Sequence, residues 1–301
     1  MMEQTCAVIV NWNRKDDTLA CLASLQAAGI KHLVVVDNGS TDGSTATIHQ
    51  QFPETTILQS ERNLGFAAGS NLGKTYFLEQ TTCRFLCLVN NDMVVAADMV
   101  RRLAEEAVAS EIVGITVPKI YYADPPDRLW YAGGYIDWKK GTCEHYGFGQ
   151  QDKGQFDHRR DVSFACGAAA LIKREVLERL DLFKDWYYMF EEDVEFSIRV
   201  QKAGYTIRYV PTALAWHKVG TSAAVRGRAF VWYYLIRNRL YTMRTHANAY
   251  QWLQFCLYFP LLCAWKSVWY ALHGDPKVAL SIGKGILAFS TRQVGETFTR
   301  E

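Results

Sequence analysis

Three groups of side chains have types and spacings that could do chemistry. The first is Asn90-Asn91-Asp92, which ends the apolar run 85–89. A carboxylate flanked by amides suits a hard cation that takes its other ligands from a substrate phosphate, as magnesium commonly does. The plain alternative is a polar turn leaving a strand, with Asp92 or Asp98 capping the next helix. The second group is Glu192, Asp193 and Glu195. Phe190, Val194 and Ile198 recur at i, i+4 and i+8, which predicts a helix over about 190–203, closed by Gly204. A carboxylate at the head of that helix could act as a general base, although acids also favour helix N-termini through the dipole. The third is His217, behind Trp216, which reads equally as a metal ligand and as a loop histidine.

These groups need a scaffold. Residues 6–10, 33–36, 56–59, 85–89, 112–117 and 205–210 are short apolar strands, the first five interleaved with helical patterns. That alternation predicts an α/β fold with a mostly parallel, doubly wound sheet. Ligands of such sheets sit outside the carboxyl ends of the strands. Asn11 and Asn13 follow the first strand, Asp37 ends the second and Asp92 follows the fourth, so polar groups converge at one edge. Asp37 could accept hydrogen bonds from a nucleoside or close an Asx-turn before Gly39.

Small residues recur in 63–73 (Gly65, Ala68, Gly69, Gly73), so a helix starting near Gly65 could lie close to a neighbour and offer N–H groups to phosphate. Gly69 to Thr75 imitates a P-loop, but Ala68 stands where a glycine is required and no strand runs into it, which argues against a P-loop nucleotidase. Cys166-Gly167-Ala168-Ala169 permits close backbone approach to a ligand. Residues 119–161 are rich in Gly, Tyr, Trp and Asp and read as one long irregular loop. Its aromatics Trp130, Tyr131, Tyr135 and Trp138 suit sugar stacking or plain loop packing.

The chain has 301 residues and a formal net charge of +2, enough for one large α/β domain with an appendage. Residues 226–301 carry ten Lys/Arg against three Asp/Glu, so the tail is basic and the body mildly acidic. A basic, aromatic tail points to nucleic acid or to an anionic membrane. The eight cysteines form no Cys-x-x-Cys pair and read as buried thiols rather than a disulfide or zinc framework. There is no charged-then-apolar signal segment at the N-terminus.

Six motifs occur together and in order: Val8-Ile-Val-Asn-Trp-Asn13, Val36 to Ser44, Asn63-x-Gly65-Phe-Ala-x-Gly69-x-Asn71, Asn90-Asn-Asp92, Glu192-Asp193 and His217. In this the sequence resembles the family 2 glycosyltransferases of the GT-A fold, and within them bacterial rhamnosyltransferase-like members, over about residues 5–240. The resemblance implies a GT-A catalytic domain over 1–225 and a helical C-terminal region over 226–301. It implies a metal-dependent hexosyltransferase of polysaccharide or cell-wall biosynthesis. Asp193 matches the catalytic base, with Glu192 beside it. Asp92 matches the metal- and diphosphate-binding carboxylate, and His217 a metal ligand, with Mn2+ or Mg2+ as the cofactor. Asn11, Asn13, Asp37, Asn63, Gly65, Asn71, Asn91 and Gly167 fall to donor binding. Asn90 stands where the family often has an aspartate. No Gln-x-x-Arg-Trp follows Asp193, so one sugar is expected per encounter. The implied activity is inverting transfer of a sugar, L-rhamnose foremost, from a dTDP- or UDP-sugar to a hydroxyl of a glycan or lipid-linked glycan. A non-catalytic glycan-binding protein of the same fold is the rival reading.

On this reading the tail makes sense without nucleic acid. Residues 252–272 are apolar and aromatic but interrupted by Pro260 and Lys266, and Arg226, Arg228, Arg237, Arg239 and Arg244 precede them. They are expected to form interfacial helices on an anionic leaflet, on the cytoplasmic face of the membrane. The alternative is helices packed on the body or on a second copy in a homodimer.

Overall fold

The fold is described from a computed structural model, which defines residues 2–219 and 226–298. The boundary expected at 225 lies outside the described residues.

The body is one large sheet with helices on both faces. Its strands are β1 (Thr5–Asn11), β2 (His32–Asp37), β3 (Thr56–Gln59), β4 (Phe85–Asn90), β5 (Met93–Val95), β6 (Val113–Tyr122), β7 (Leu129–Tyr131), β10 (Arg160–Val162), β11 (Ala169–Lys173) and β12 (Thr206–His217). A separate hairpin joins β8 (Gly134–Asp137) to β9 (Thr142–His145). The strand order is β10-β12-β6-β11-β4-β1-β2-β3, with β5 on β12 and β7 on β6. The helices of the body are α1 (Lys15–Ala27), α2 (Ser44–Gln51), α3 (Gly65–Gln80), α4 (Met99–Val108), α5 (Arg174–Leu180) and α6 (Glu192–Lys202).

The sheet is mixed rather than simply doubly wound. Strands β1 to β4 are parallel, but β11 runs antiparallel between β4 and β6. The central strands are buried on both faces: Cys6 to Ile9 and Val34 to Val36 are essentially inaccessible, as expected for continuous apolar runs covered by helices. Helix α3 lies hard against β1. A Cβ on Gly73 would stand 2.2 Å from Val8 Cγ1, so glycine is what lets the helix descend that far. Part of the small-residue pattern in 63–73 therefore serves packing.

Residues 119–161 are not one irregular loop. The end of β6, the hairpin and two further short strands, β7 and β10, lie within this stretch. These strands are three or four residues long, too short to show a period, and Gly133 and Gly141 turn the chain at positive φ. Lys119, only 2% exposed, is held by Asp152 and Asp157, and Tyr121 also donates to Asp152.

The tail forms three helices: α7 (Arg228–His246), α8 (Ala249–Leu272) and α9 (Pro276–Ser290). Helix α8 runs unbroken through Pro260 and Lys266, contrary to the expected interruption. A proline removes one N–H from the ladder, and the rest of this long helix carries it through. Helix α7 is the buried one. Its Arg237 and Asn238 are fully inaccessible, and Tyr233 and Tyr234 pack with Phe230 and with Tyr188 of the body. The tail arginines were expected to face a leaflet; Arg237 and Arg239 instead turn inward, toward carbonyl groups and Glu191 respectively.

Candidate active site

Strand ends and the loop before α6 enclose a cleft of about 310 Å³, in the size range of small-molecule sites. Asp92, His217, Glu192 and Asp193 all line it, although they lie as much as 125 residues apart in the chain.

On the nucleotide side, the register that pairs Asn11 with Asp37 joins their side chains. Asn11 Nδ2 donates to Asp37 Oδ1 (3.0 Å) and Ser40 Oγ (3.1 Å), while its Oδ1 accepts from Thr18 (2.8 Å) and Asn91 (3.2 Å). Asp37 Oδ2 accepts from the Ser40 N–H at 3.1 Å, which is the Asx-turn. Asn13, at φ 51, accepts from the Thr41 N–H. These residues form the layer behind the cleft, and Val10, Trp12 and Asn38 form its wall on that side. The resemblance expects Asp37 to contact the nucleotide base, with Asn11 and Asn13 lining the same pocket; here Asn11 bonds Asp37, and Asn13 is held by Ser40 and Thr41.

The head of α3 is also committed. Asn63 Oδ1 accepts from the Gly65 N–H (2.8 Å) and Asn38 Nδ2, Asn38 Oδ1 accepts from the Leu64 N–H, and the Ala67 N–H reaches Tyr188 O. The Leu64, Gly65 and Ala67 N–H groups at this helix head are thus taken by protein acceptors. Gly65 sits at φ +84 with Tyr188 O 2.3 Å from where a Cβ would be, so no other residue fits. Asn71 lies outside the cleft. Its amide bonds Phe183 O and Asp185, and its Oδ1 accepts from the Phe183 N–H, which ties α3 to the segment leading to α6.

The opposite corner is less satisfied. Strand β5 pairs antiparallel with β12, setting Met93 opposite His217. His217 Nε2 thereby comes 3.1 Å from Asp92 Oδ1, and the Lys218 N–H donates to Asp92 O. Both side chains are about nine-tenths buried, yet His217 Nδ1 and the nearby Asn90 Oδ1 lack partners among the described residues. Trp130 covers His217 edge-on at 4.4 Å. Of the aromatics of 119–161, Trp130 lines the cleft, Tyr131 is core, Tyr135 is exposed and Trp138 packs between cores. Among the described residues no three His, Cys, Asp or Glu gather into a ready-made cation site. The pair still fits a divalent ion. Neighbouring ligands about 2.1 Å from an octahedral cation lie about 3 Å apart, and a carboxylate with an orphaned imidazole suits a metal completed by substrate oxygens.

The acid segment is built under strain. Tyr188, Phe190 and Glu191 have φ of 64°, 67° and 70°, each costing about 1–2 kcal/mol for a residue with a Cβ. Such strain gathers where function requires it. Asp193 Oδ2 accepts from the Gly167 N–H at 2.9 Å, and Oδ1 from the Val194 N–H. A Cβ on Gly167 would crowd that carboxylate at 3.3 Å, so Gly167 holds Asp193. Glu192 Oε2 is buried without a partner among the described residues. Burial raises the proton affinity of Asp193 and Glu192, and more so that of Glu192 because Asp193 adds like charge. Glu191 is pushed up to about 7 by burial, which the facing Arg239 only partly offsets. Glu195 differs: burial raises it, but His246 and Arg199 prevail and hold it below the usual range. Glu195 is thus a structural acid that braces α6.

Sequence reasoning missed Asn38, Met189, Phe190 and Arg226 of the cleft wall. Arg226 stands 4.4 Å over Trp12 and donates to the Tyr188 hydroxyl. Nothing in the local sequence distinguishes it from the other tail arginines.

Comparison with known proteins finds sugar transferases among the relatives. The hexosyltransferase Agl10 of low-salt glycan biosynthesis in Haloferax volcanii is 22% identical over 218 residues, 69% of this chain. The chain spans 64% of the length of that relative. An N-acetylglucosaminyl-diphospho-decaprenol L-rhamnosyltransferase of Mycobacterium tuberculosis is 24% identical over 217 residues, 65% of this chain and 70% of that protein. Among solved structures, S. aureus TarS 1-349 in complex with UDP-GlcNAc superposes with a TM-score of 0.60 at 15% identity, over 96% of this chain and 82% of that one. The mannosyltransferase PcManGT of Pyrobaculum calidifontis, with GDP-Man and Mn2+, gives 0.56 at 15% identity, over 96% and 88%. These show a GT-A-like fold with a C-terminal helical extension. Residues 6–181, more than half of the chain, match the Glycosyl transferase family 2 profile, and the chain belongs to that family.

Proposed function

We propose that this protein is an inverting, non-processive glycosyltransferase that moves one sugar from a nucleoside-diphosphate donor to a hydroxyl of a glycan or lipid-linked glycan. The observation that carries it is Asp193: a carboxylate at the cleft wall, oriented by the Gly167 N–H and raised in proton affinity by burial. In that state it can take a proton from an attacking hydroxyl near neutral pH. Attack from the face opposite the leaving group inverts the anomeric centre. A manganese or magnesium ion held by Asp92 and His217 would neutralise the leaving diphosphate. Trp12 offers a ring on the donor side, beside Asn38 and over the layer formed by Asn11, Asn13 and Asp37. Family membership and the relative that transfers L-rhamnose support testing dTDP- and UDP-sugars, with the L-rhamnosyl donor first.

The tail extends the proposal. Leu253, Leu257, Leu261, Trp265, Val268 and Leu272 of α8 form one exposed apolar ridge. By length and composition alone α8 could cross a membrane, and only 17% of its most apolar window is buried. We read it as lying on an anionic leaflet at the cytoplasmic face, near lipid-linked acceptors; a homodimer through α8 is the competing occupant. Leu257→Glu should release the protein from anionic vesicles, whereas a concentration-dependent loss of dimer instead would favour the second copy.

The deciding experiment incubates the protein with nucleotide sugars, manganese and acceptor, then reads product configuration by NMR. An inverted product is expected. A retained configuration would overturn the mechanism, and donor binding without nucleoside diphosphate release would favour the non-catalytic reading.

A further inference from the structure

The strained segment before α6 is not held by the sheet that carries the rest of the site. It is held by α3, whose Ala67 N–H reaches Tyr188 O, and above all by the tail. Asn238 Nδ2 lies within hydrogen-bond distance of three backbone carbonyls at once: Tyr187 (3.0 Å), Met189 (2.9 Å) and Phe190 (2.8 Å). Its Oδ1 accepts from Arg237 Nε at 2.8 Å. Arg237 Nη2 donates to Trp186 O (3.2 Å) and Tyr187 O (3.0 Å), while Nη1 bonds Gly295 O and Thr297. Both side chains are completely buried. A guanidinium and an amide thus donate to the carbonyls of Trp186, Tyr187, Met189 and Phe190, a stretch that includes two left-handed residues. A buried carbonyl left without a donor is costly, so these bonds select the left-handed arrangement over a relaxed one. The same helix then sends Arg239 to Glu191, Thr242 to the Tyr187 hydroxyl and His246 to Glu195. One face of α7 is spent on the segment that delivers the acids to the cleft.

We propose that Asn238, oriented by Arg237, is a positioning residue that fixes the 186–190 backbone and so places Glu192 and Asp193 at the cleft, which makes α7 part of the active site and not an appendage. The inference rests on the reading of Asp193 as general base. Asn238 touches no reacting atom in this scheme and acts through the backbone before α6. A displacement of about 1 Å in a catalytic group costs on the order of 10²-fold in rate.

The test uses the full chain with Asn238→Ala, Asn238→Asp and, as a control, Thr242→Val. Asn238→Asp keeps the size and the acceptor for Arg237 but puts an oxygen where the Met189 and Phe190 carbonyls need a donor. Thr242→Val removes a buried hydrogen bond between α7 and Tyr187 without touching those carbonyls. Measurements are melting temperature, donor dissociation constant and single-turnover kcat well below each melting point. Both Asn238 variants should lose about 10²-fold in kcat with donor affinity changed less than about threefold, and Thr242→Val should lose stability with kcat nearly intact. An unchanged kcat in Asn238→Ala, or an equal loss in Thr242→Val, overturns the proposal. Should the Asn238 variants not fold, hydrogen exchange on the unaltered protein decides. Amides of 187–191 should then exchange as slowly as the core of α7, and exchange typical of an exposed loop would overturn it. Asp193→Asn run in parallel separates the two ideas. An active Asp193→Asn removes the base itself, whereas an inactive Asp193→Asn beside an active Asn238→Ala removes only the pin.

Discussion

The two walls of the cleft are built by different physics. On the side of β1 and β2, the side chains of Asn11, Asn38 and Asn63 bond one another, Asp37 or the backbone at ordinary distances. Backbone there follows strand ends and an Asx-turn. On the side of α6 and β12, buried polar atoms of Glu192 and His217 lack partners among the described residues, and Tyr188, Phe190 and Glu191 crowd three left-handed conformations into four residues. Native interiors leave few polar groups unpaired, and those left point to a ligand or a reaction. The first wall is a finished frame; the second holds the capacity to bind and react. The comparison also separates stability from activity, because changes to the frame should be felt in folding and changes to the second wall in turnover.

The strongest way to break this contrast is Asp193→Asn. Transfer should fall about 10²–10⁴-fold at unchanged donor affinity, measured as single-turnover rate against dissociation constant. Loss of stability with full turnover would return Asp193 to the frame. Next comes Asp92→Ala. Donor-induced stabilisation in manganese, about 2.7 kcal/mol at a hundredfold excess over the dissociation constant, should vanish in a thermal shift assay. Full donor stabilisation in the variant, or in excess chelator, would refute the metal assignment.

A pH profile sharpens the contrast without mutation. Burial raises the proton affinity of Asp193, so the proton leaves only above the ordinary carboxylate range of about 4. Activity should therefore decline about tenfold per unit as pH falls through that raised value, with the limb on the acid side. A limb at the ordinary carboxylate position would mean a solvated Asp193. The smallest effect is expected at the frame. Asn11→Ala leaves Asp37 and Thr18 without a shared partner and should cost about 1–3 kcal/mol of stability. Read by denaturant unfolding, with kcat per folded molecule nearly unchanged, that outcome would keep Asn11 out of the chemistry.

The sequence by itself determined the strands β1 to β4, β6 and β12, the helices between the first of them and the edge where Asn11, Asp37 and Asp92 gather. Short apolar runs ending in polar residues are a local signal, and the carboxyl edge of a sheet follows from strand direction alone. The head of α6 and its acids were legible for the same reason, as was the apolar character of 252–272. Pairing across the chain was not legible. That β11 runs backward between β4 and β6 depends on which strands meet, and no local period encodes it. The same holds for His217, which reaches Asp92 only because β5 pairs with β12. It holds most for the tail arginines, where composition counts charge but not direction. Arg237 and Arg239 share their residue type with surface cations, yet α7 turns them inward onto carbonyls and Glu191. Whether a charge faces solvent or a buried partner is settled by the packing of the helix that carries it, and only the tertiary structure decided that.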